Sequence, residues 1–544
     1  IVFDCGTQSD PAPGNTSSYD TMSGAGALVV DDPNPESVMI VSQGSSTYSY
    51  PSAGLWASLD MSGLNSFNGT FGRLMLGVQG VGPTAGQVAL NASGRQTGIL
   101  DLALTNVIHL TQTGNNQGGF AAAAGGPALV IFDSGFSGDN PSQLHLGLSN
   151  AIYADSITVG RTGVQSGVLD FNPSLGGTPQ LLLRGESSSR VSELIVADST
   201  WEGGESQYEL PDPRIVVTPA ISASGTLNEE ESGLMDASLG TVDMMIDTLI
   251  VGKGYNAGGS GYVVGQLNIG GGTANVNTLQ LGAMSATNTS TTVTGILNVT
   301  NATLVVNSAL ALGAPMGAAT APYAAGNLNL SGSTLEASAI TASGSVNSYI
   351  NMTGGTMSLT SASGSIGTTA APVGSITLSG GTILNLAVGS FPAVVADTLT
   401  ASGSTDTINL TTLPSIQSVP STNTLIQSIN AAIGGYDFVL GSPLPAGFGG
   451  YLQQSADGTA VQLVVTNAPP PPTGVTITSA TLQAGSIVLS GTNGVAHGVY
   501  YVLSSTNLAQ TWTSIATNTF DGSGNFSASF PTTSAQQFFK IESQ

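Results

Sequence analysis

The stretch Leu267-Asn-Ile-Gly-Gly-Gly-Thr-Ala-Asn-Val276 introduces a pattern that occurs five times in the chain. Each copy has an apolar residue at its start, a second apolar residue two positions later and a threonine six positions later. The other copies begin at Leu297, Leu328, Ile350 and Ile376, with start-to-start spacings of 30, 31, 22 and 26 residues. A fixed internal pattern with variable spacing is typical of repeats that share a core and differ in their loops.

Each copy predicts two short β-strands joined by a turn of Gly, Ser or Asn. Because side chains alternate between the two faces of a strand, Leu267 and Ile269 face one side and Asn268 faces the other. A third strand follows in the first three copies, at residues 279–282, 310–313 and 340–342. Three strands and a return loop make one coil of a parallel β-solenoid, whose coils must stack to bury their apolar faces. A β-sandwich with chance similarity is the alternative.

Stacking in register places equivalent residues about 4.8 Å apart. We therefore expect an aliphatic ladder inside the solenoid, an amide ladder of the kind that satisfies side chains between stacked strands, and a threonine ladder. The aliphatic ladder comprises Leu267, Leu297, Leu328, Ile350 and Ile376; the amide ladder comprises Asn268, Asn298, Asn329 and Asn351; and the threonine ladder comprises Thr273, Thr303, Thr334, Thr356 and Thr382.

The composition favours an all-β chain. Only 7% of the residues are charged, 40% are hydrophobic and 73 are glycine, and Ser, Thr and Asn supply much of the polar surface. These residues suit strands and turns, whereas helical proteins need charged wet faces and disordered chains need high charge. The net charge of −24 comes from 32 acidic and 8 scattered basic residues, so nucleic acid and anionic membranes are poor partners.

We predict four segments, and the fold class is an all-β parallel β-solenoid, or β-helix, followed by a small C-terminal β-sandwich. Residues 1–84 lack a clear repeat and predict a β-rich N-terminal cap or docking segment. Residues 85–466 predict the solenoid, and the proline-rich residues 467–473 predict a stiff linker. Residues 474–544 hold short strands at about ten-residue spacing, which predict an immunoglobulin-like sandwich with Trp512 in its core.

The ends and apolar stretches bear on localisation. The sequence begins with Ile1 rather than methionine, so we expect a processed, mature chain that is secreted and lies outside the cell or at its surface. The most apolar stretch, 120–132, is shorter than the roughly 20 residues that cross a bilayer, so no membrane insertion is expected. Cys5 is the only cysteine, which excludes an internal disulfide and leaves a free thiol or a cross-link between copies.

Two parts of the chain resemble a known family. The segments QLHLGLSNAIYADSITVG (143–160) and DTLIVGK (247–253) resemble large secreted proteins of verrucomicrobial type that carry autotransporter-associated β-strand repeats. The segments YVLSSTN (501–507) and FDGSGNF (520–526), with Trp512, resemble the C-terminal immunoglobulin-like module of those proteins. The resemblance covers roughly residues 140–390 and 474–544. It implies an exported bacterial solenoid protein and no defined activity.

An enzyme has to be weighed because β-helices often carry polysaccharide-degrading activity, which needs paired carboxylates. The best group is Asp133, Asp139 and Asp101, near His109 and His145. The loop 133–140 could bind calcium adventitiously through oxygen ligands, although it lacks EF-hand spacing. A turn-rich loop and a histidine satisfied on its strand are the simpler interpretations. We predict no catalytic, cofactor-binding or metal site.

The expected function is that of a non-enzymatic extracellular structural protein, a subunit of a surface fibre, sheath or filament. The two ends of a solenoid are strand edges, so head-to-tail self-association can propagate without closing. One alternative is an adhesin or carbohydrate-binding surface stalk that contacts a glycan or a cell surface through its C-terminal sandwich. A polysaccharide-degrading β-helix enzyme is the less favoured alternative.

Overall fold

A computed structural model describes most of the chain. The predictions about Cys5, the 133–140 loop and residues 470–473 of the linker lie outside its described residues, which are 1–3, 18–35, 37–43, 56–78, 97–112, 128–131, 141–161, 167–198, 232–254, 262–284, 292–314, 324–343, 348–416, 418–469, 475–483, 485–508, 512–532 and 536–543. Two compact units are present: one comprises Ile1–Pro414, Thr422–Pro445 and Gly450–Val464, and the other comprises Ser415–Ser421, Ala446–Gly449 and Val465–Gln544.

The described residues form strands and no helix long and apolar enough to cross a membrane. In chain order the strands are β1 (Val2–Phe3), β2 (Ser18–Thr21), β3 (Ala27–Asp31), β4 (Val38–Gln43), β5 (Trp56–Asp60), β6 (Ser66–Phe71), β7 (Arg73–Val78), β8 (Thr97–Asp101), β9 (Thr105–Leu110), β10 (Leu129–Ile131), β11 (Ser142–Leu146), β12 (Ser149–Ala154), β13 (Ser156–Arg161), β14 (Gly167–Phe171), β15 (Gln180–Arg184), β16 (Val191–Asp198), β17 (Ser232–Ala237), β18 (Thr241–Gly254), β19 (Tyr262–Ile269), β20 (Gly272–Met284), β21 (Thr292–Thr300), β22 (Ala302–Leu312), β23 (Ala324–Ser331), β24 (Thr334–Ala342), β25 (Ser348–Thr353), β26 (Thr356–Leu359), β27 (Val373–Ser379), β28 (Ile383–Ala387), β29 (Val394–Ser402), β30 (Asp406–Thr412), β31 (Ser421–Ser428), β32 (Phe438–Leu440), β33 (Gly449–Gln454), β34 (Ala460–Asn467), β35 (Thr476–Gln483), β36 (Ser486–Thr492), β37 (Val499–Ser505), β38 (Thr513–Thr519), β39 (Phe526–Pro531) and β40 (Phe538–Ser543).

The first unit is a parallel β-solenoid, which confirms the predicted fold class. We name its three faces A, B and C. Face A is the 15-stranded sheet that runs from β2, β5 and β8 to β31, β34 and β33. Face B runs from β3, β6 and β9 through the first halves of β18, β20, β22 and β24 to β32, and face C runs from β1, β4 and β7 through the second halves of the same four strands.

The predicted second and third strands of the later coils are one strand. Strand β20 pairs with β22 on both sides of a register shift between Val276 and Leu279, and β22 pairs with β24 across a shift between Val306 and Ala309. The shift marks the bend from face B to face C, where the ladder is interrupted and the strand changes direction. The backbone therefore turns this corner without leaving the extended conformation.

The solenoid begins earlier than predicted. Strand β1 pairs with β4, β2 pairs with β5 and β3 pairs with β6, all in parallel. The prediction that residues 1–84 form a separate cap or docking segment is therefore wrong for the described part of that range. Its strands are short and far apart in sequence, so the repeat was hidden by the lengths of the connections.

The interior carries the aliphatic ladder at its predicted positions. Leu267 pairs with Leu297, Leu297 with Leu328, Leu328 with Ile350 and Ile350 with Ile376. All five side chains are at most 1% exposed. Each such burial contributes roughly 1.5–3 kcal/mol, so stacking supplies the core that a single coil lacks.

Two columns of small residues meet at the corner between faces C and A. On face C, the equivalent residues of successive coils have positive φ: Gly160 (79°), Ala197 (65°), Gly252 (72°), Gly282 (69°) and Gly313 (65°). On face A, glycine pairs with glycine from Gly167 through Gly233, Gly265 and Gly295 to Gly326. A Cβ added at Gly295 would lie 2.1 Å from the Val251 oxygen and 2.3 Å from the Gly282 nitrogen. At Gly295 the two backbones therefore approach so closely that only glycine fits, whereas Ser142 and Ser348 occupy the same column beyond the glycine run.

The second unit contains the predicted β-sandwich. One antiparallel sheet has the order β35-β36-β39 and the other has the order β38-β37-β40, which matches the A-B-E and C-F pairings of an immunoglobulin-type sandwich. The core between them is aromatic and centres on Tyr500, Phe520 and Phe526. The prediction that Trp512 is a core residue is wrong: Trp512 is half-buried at the start of an edge strand, and Lys540 Nζ lies 5.4 Å from the centre of its ring.

We predict that Gly295→Ala lowers the free energy of unfolding by about 3 kcal/mol or more, because the added methyl group overlaps backbone atoms that cannot move independently. Urea denaturation followed by circular dichroism measures the change. Gly176→Ala is the matched control, since a Cβ there meets no atom within 4 Å. Equal midpoints for the two variants would show that the corner tolerates side chains.

Candidate functional site

One outward-facing column of side chains runs along face A, and we call it the outer A column. It changes chemistry along its length. Register pairs place its residues on successive coils, from Asp60 to Asp101, His145, Asp170 and Asp236, and then to Asn268, Asn298, Asn329 and Asn351. The first part is therefore acidic with one histidine, and the second part is the predicted amide ladder.

The amide ladder is hydrogen-bonded from coil to coil. Asn298 Nδ2 donates to Asn268 Oδ1 at 2.8 Å, Asn329 Nδ2 to Asn298 Oδ1 at 2.7 Å and Asn351 Nδ2 to Asn329 Oδ1 at 2.9 Å. Asn298 and Asn329 each use one N–H group and one oxygen lone pair in the ladder and keep a second of each. The side chains are half-buried, so the unused groups lie at the surface.

A second amide ladder lies at the bend between faces B and C, and the repeat pattern gave no indication of it. Asn307 Nδ2 donates to Asn277 Oδ1 at 2.7 Å, and Asn277 Nδ2 donates to Asp247 Oδ1 at 2.5 Å. Both ladders donate from each coil to the coil that precedes it in the chain. The second one ends on a carboxylate.

The acidic part of the outer A column is organised around His145. His145 Nδ1 lies 2.5 Å from Asp170 Oδ1, and Nε2 lies 3.0 Å from Gln143 Oε1. With both ring nitrogens protonated, each donates to one of these oxygens. The imidazolium form is therefore the one that satisfies both contacts, and its charge lies between the carboxylates of the two neighbouring coils.

The pKa values follow from this arrangement. Burial acts to lower the pKa of His145, but the hydrogen bond and charge of Asp170, together with the charge of Asp101, raise it above its ordinary value. Burial raises the pKa of Asp101; the nearby carboxylates of Asp60 and Asp170 act in the same direction, and His145 opposes them. The column thus holds one group that favours its charged form and one that resists ionisation.

The acidic part has the residue types of an acid–base site but not its shape. Asp101 and Asp170 are separated by two coil spacings, about 9.6 Å, with the His145 side chain between them. A glycosidase needs open space for the substrate between its two carboxylates. Within the described ranges, no group of three or more His, Cys, Asp or Glu side chains is arranged to hold a metal ion.

The threonine ladder holds over four coils and then breaks. Thr273 pairs with Thr303, Thr303 with Thr334 and Thr334 with Thr356, but Thr356 pairs with Ile383. The prediction that Thr382 continues the ladder is therefore wrong. Thr382 is buried, and its backbone nitrogen and Oγ1 each donate to Asp406 Oδ1 at 2.8 Å, so the strand resumes one residue later.

The candidate acid–base group from the sequence is divided. Asp101 lies beside His145 on face A, whereas His109 lies on face B and stacks on Tyr153, with ring centroids 4.2 Å apart and planes within 3°. Asp133 and Asp139 lie outside the described residues. The structure therefore places Asp101 and His145 side by side and places His109 on a different face.

An open groove lies beside the amide part of the outer A column. Its volume is about 420 Å³, and its lining consists of Ser238, Gln266, Asn268, Ile269, Asn298, Thr300, Asn329, Leu330, Ser331, Asn351 and Thr353. Thr300, Ser331 and Thr353 each stand two residues after an asparagine of the ladder, and Ser238 stands two residues after Asp236. Together the two columns make a neutral, polar surface along the solenoid axis.

Sequence reasoning missed the acidic part of the column, although a signal for it exists. Asp101, His145, Asp170 and Asp236 each stand between two apolar residues, as Asn268 stands between Leu267 and Ile269. The triplets around Asp101, His145 and Asp170 lack the threonine that completes the repeat, whereas the triplet that begins at Met235 has it in Thr241. The alternation of apolar and polar residues alone indicates the column.

Comparisons with family models, with curated proteins and with solved structures found no match for this chain.

We predict that Asn298→Ala lowers the free energy of unfolding by about 1–3 kcal/mol, because it removes two ladder hydrogen bonds of about 0.5–1.5 kcal/mol each. Chemical denaturation of the full chain measures the loss. Asn430→Ala is the control, since Asn430 is exposed and lies outside the amide ladder. A loss no greater than that of the control would contradict a stabilising ladder.

We also predict that the chain becomes less stable as the pH rises from below 6.5, the ordinary pKa of histidine, into the alkaline range. A group whose pKa is raised on folding contributes stability that is complete below its unfolded value, 6.5 for histidine, and is lost as the pH rises through its folded pKa. Thermal midpoints across this range measure the effect. His145→Gln should flatten the profile, and an unchanged slope in that variant would assign the effect to another group.

Proposed function

We propose that this chain is a non-enzymatic structural protein that is secreted, lies outside the cell or at its surface, and self-associates head to tail into a fibre, sheath or filament. The observation that supports self-association is one outward column on face B. This column runs from Val29 through the threonine ladder and Ile383 to Thr407 and Val439.

The two ends of this column are matched. Val29 lies on β3 and Val439 lies on β32, the outermost described strands of face B, and the two side chains are 64% and 45% exposed. If one copy stacks on the next with the coil spacing continued, Val439 of one copy pairs with Val29 of the other. An exposed apolar residue on an unpaired strand edge favours edge-to-edge association.

The contact would be heterologous, because the two surfaces that meet are different. Such contacts produce open chains when no rotation closes them into a ring. Solenoids stack along their own axis, so the natural product is a filament. The chemistry along the column supports a passive role, since it consists mainly of hydroxyl and aliphatic side chains.

Secretion and surface location rest on the hydroxyl- and amide-rich composition and on the resemblance described above. The alternative of an adhesin or glycan-binding stalk is favoured by a different observation, the groove on face A. The enzyme alternative is favoured by none, because His145 fills the space between Asp101 and Asp170.

We predict that the purified chain forms linear assemblies, visible by negative-stain microscopy and measurable by sedimentation velocity. Val29→Lys and Val439→Lys should each abolish them, because each places a charge against an apolar partner edge. The double variant Val29→Lys/Val439→Asp should restore assembly, because the two new charges then pair across the contact.

Ile383→Lys is the control, since Ile383 is an exposed apolar residue of the same column in the middle of the solenoid. Assembly should survive that change. A wild-type chain that stays dispersed under all salt and calcium conditions would overturn self-association, as would equal assembly by the three single variants.

A further inference from the structure

We propose that the open groove beside the amide ladder binds a neutral linear glycan that runs along the solenoid axis. This site is independent of the proposed self-association, which involves the ends of face B. The chemistry, the repeat and the charge of the groove support this class of ligand.

The polar groups of the groove suit sugar hydroxyls. A hydroxyl group donates one hydrogen bond and accepts two, and a primary amide offers both donors and an acceptor. The ladder engages only one N–H and one lone pair of Asn298 and of Asn329. Two residues further along the same strands, the hydroxyls of Thr300 and Ser331 are exposed. A hydroxyl that lies between the two columns can therefore both donate and accept.

One buried group lacks a partner. Gln266 is 7% exposed, and its Nε2 donates to Asn268 Oδ1 at 3.0 Å, but its Oε1 has no hydrogen-bond partner among the described residues. This oxygen is itself buried, so a sugar hydroxyl can donate to it only when the Gln266 side chain rotates toward the groove that it lines.

The groove repeats along its length. It extends over the coils of β17, β19, β21, β23 and β25, which corresponds to four coil spacings or about 19 Å. A pair of amide and hydroxyl recurs on three successive coils, as Asn298 with Thr300, Asn329 with Ser331 and Asn351 with Thr353. A polymer of similar units matches a repeated site better than a single small molecule does. The groove is open at the surface, so a long chain can pass through it.

The charge of the groove and of the whole chain indicates which class of glycan binds. None of the described lining residues is charged. The two apolar ones, Ile269 and Leu330, are at most 2% exposed, so polar side chains supply the contact surface. The groove ends at Ser238, beside the acidic part of the outer A column, which begins with Asp236. With a net charge of −24, the chain repels polyanions. A neutral glycan is therefore favoured over a uronic-acid polymer.

Affinity electrophoresis of the full chain tests the proposal. The probes are three soluble neutral glycans (mixed-linkage β-glucan, xyloglucan and galactomannan), with alginate as the charged comparison. We expect at least one neutral glycan to retard the protein and alginate to have no effect. Ser331→Trp should weaken that binding by about tenfold or more, because the indole fills the groove while the amide ladder stays intact.

Ser402→Trp is the matched control. Ser402 occupies the same column as Ser331, at the same end of its strand, two coils beyond Thr353 and outside the groove. It should bind as the wild type does. Thr300→Trp provides a second blocking variant if Ser331→Trp does not fold.

Three results would overturn the proposal: no retardation by any of the three neutral glycans, equal retardation by alginate, or unchanged binding by a folded blocking variant. Sedimentation of the Trp variants tests self-association separately. A Trp variant that loses glycan binding but still forms normal filaments would show that the groove binds glycan independently of assembly.

Discussion

The in-register stacking of parallel coils is the constraint on which the rest of the structure depends. Once one coil lies on the next without a shift, every residue lies against its equivalent, and each column must be chemically compatible with itself. The interior column meets this requirement with leucine and isoleucine. The corner between faces C and A meets it with glycine, because a Cβ at Gly295 would overlap the Val251 oxygen of the facing backbone. Core, corner and surface thus obey one rule.

The outer A column shows two ways of satisfying that rule with polar groups. Asparagine pairs with itself, because its side chain has both a donor and an acceptor, and three coil-to-coil hydrogen bonds result. Aspartate beside aspartate is unfavourable, since like charges about 4.8 Å apart repel each other, yet Asp60 pairs with Asp101 and Asp170 pairs with Asp236. The acidic part is tolerated because His145 separates Asp101 from Asp170 and because Ser62 and Tyr19 donate hydrogen bonds to Asp60.

How much the sequence predicts depends on whether a feature repeats locally. The aliphatic and amide ladders were predictable, because Leu267-Asn268 and its copies keep the same neighbours. The break at Thr382 was not predictable, because Thr382 follows Ile376 at the same spacing as the threonine follows the first residue in the intact copies. Only its hydrogen bond to Asp406, which is distant in sequence, distinguishes it. The glycine corner was also hidden, since Gly252 and Gly295 lie on different coils and meet only when the stack exists. Tyr500, rather than Trp512, fills the sandwich core because strand position decides burial and residue size does not.

The direction of the amide ladders gives the solenoid an electrical polarity. In both ladders each side-chain amide donates toward the preceding coil, so their dipoles point the same way and add, as peptide dipoles do in a helix. The positive end of the shorter ladder meets the carboxylate of Asp247, and the coil that precedes Asn268 carries Asp236. Acidic residues therefore lie where the aligned dipoles stabilise a negative charge. Along face A, the aspartates precede the asparagines and so lie at the positive end of the ladder's dipole.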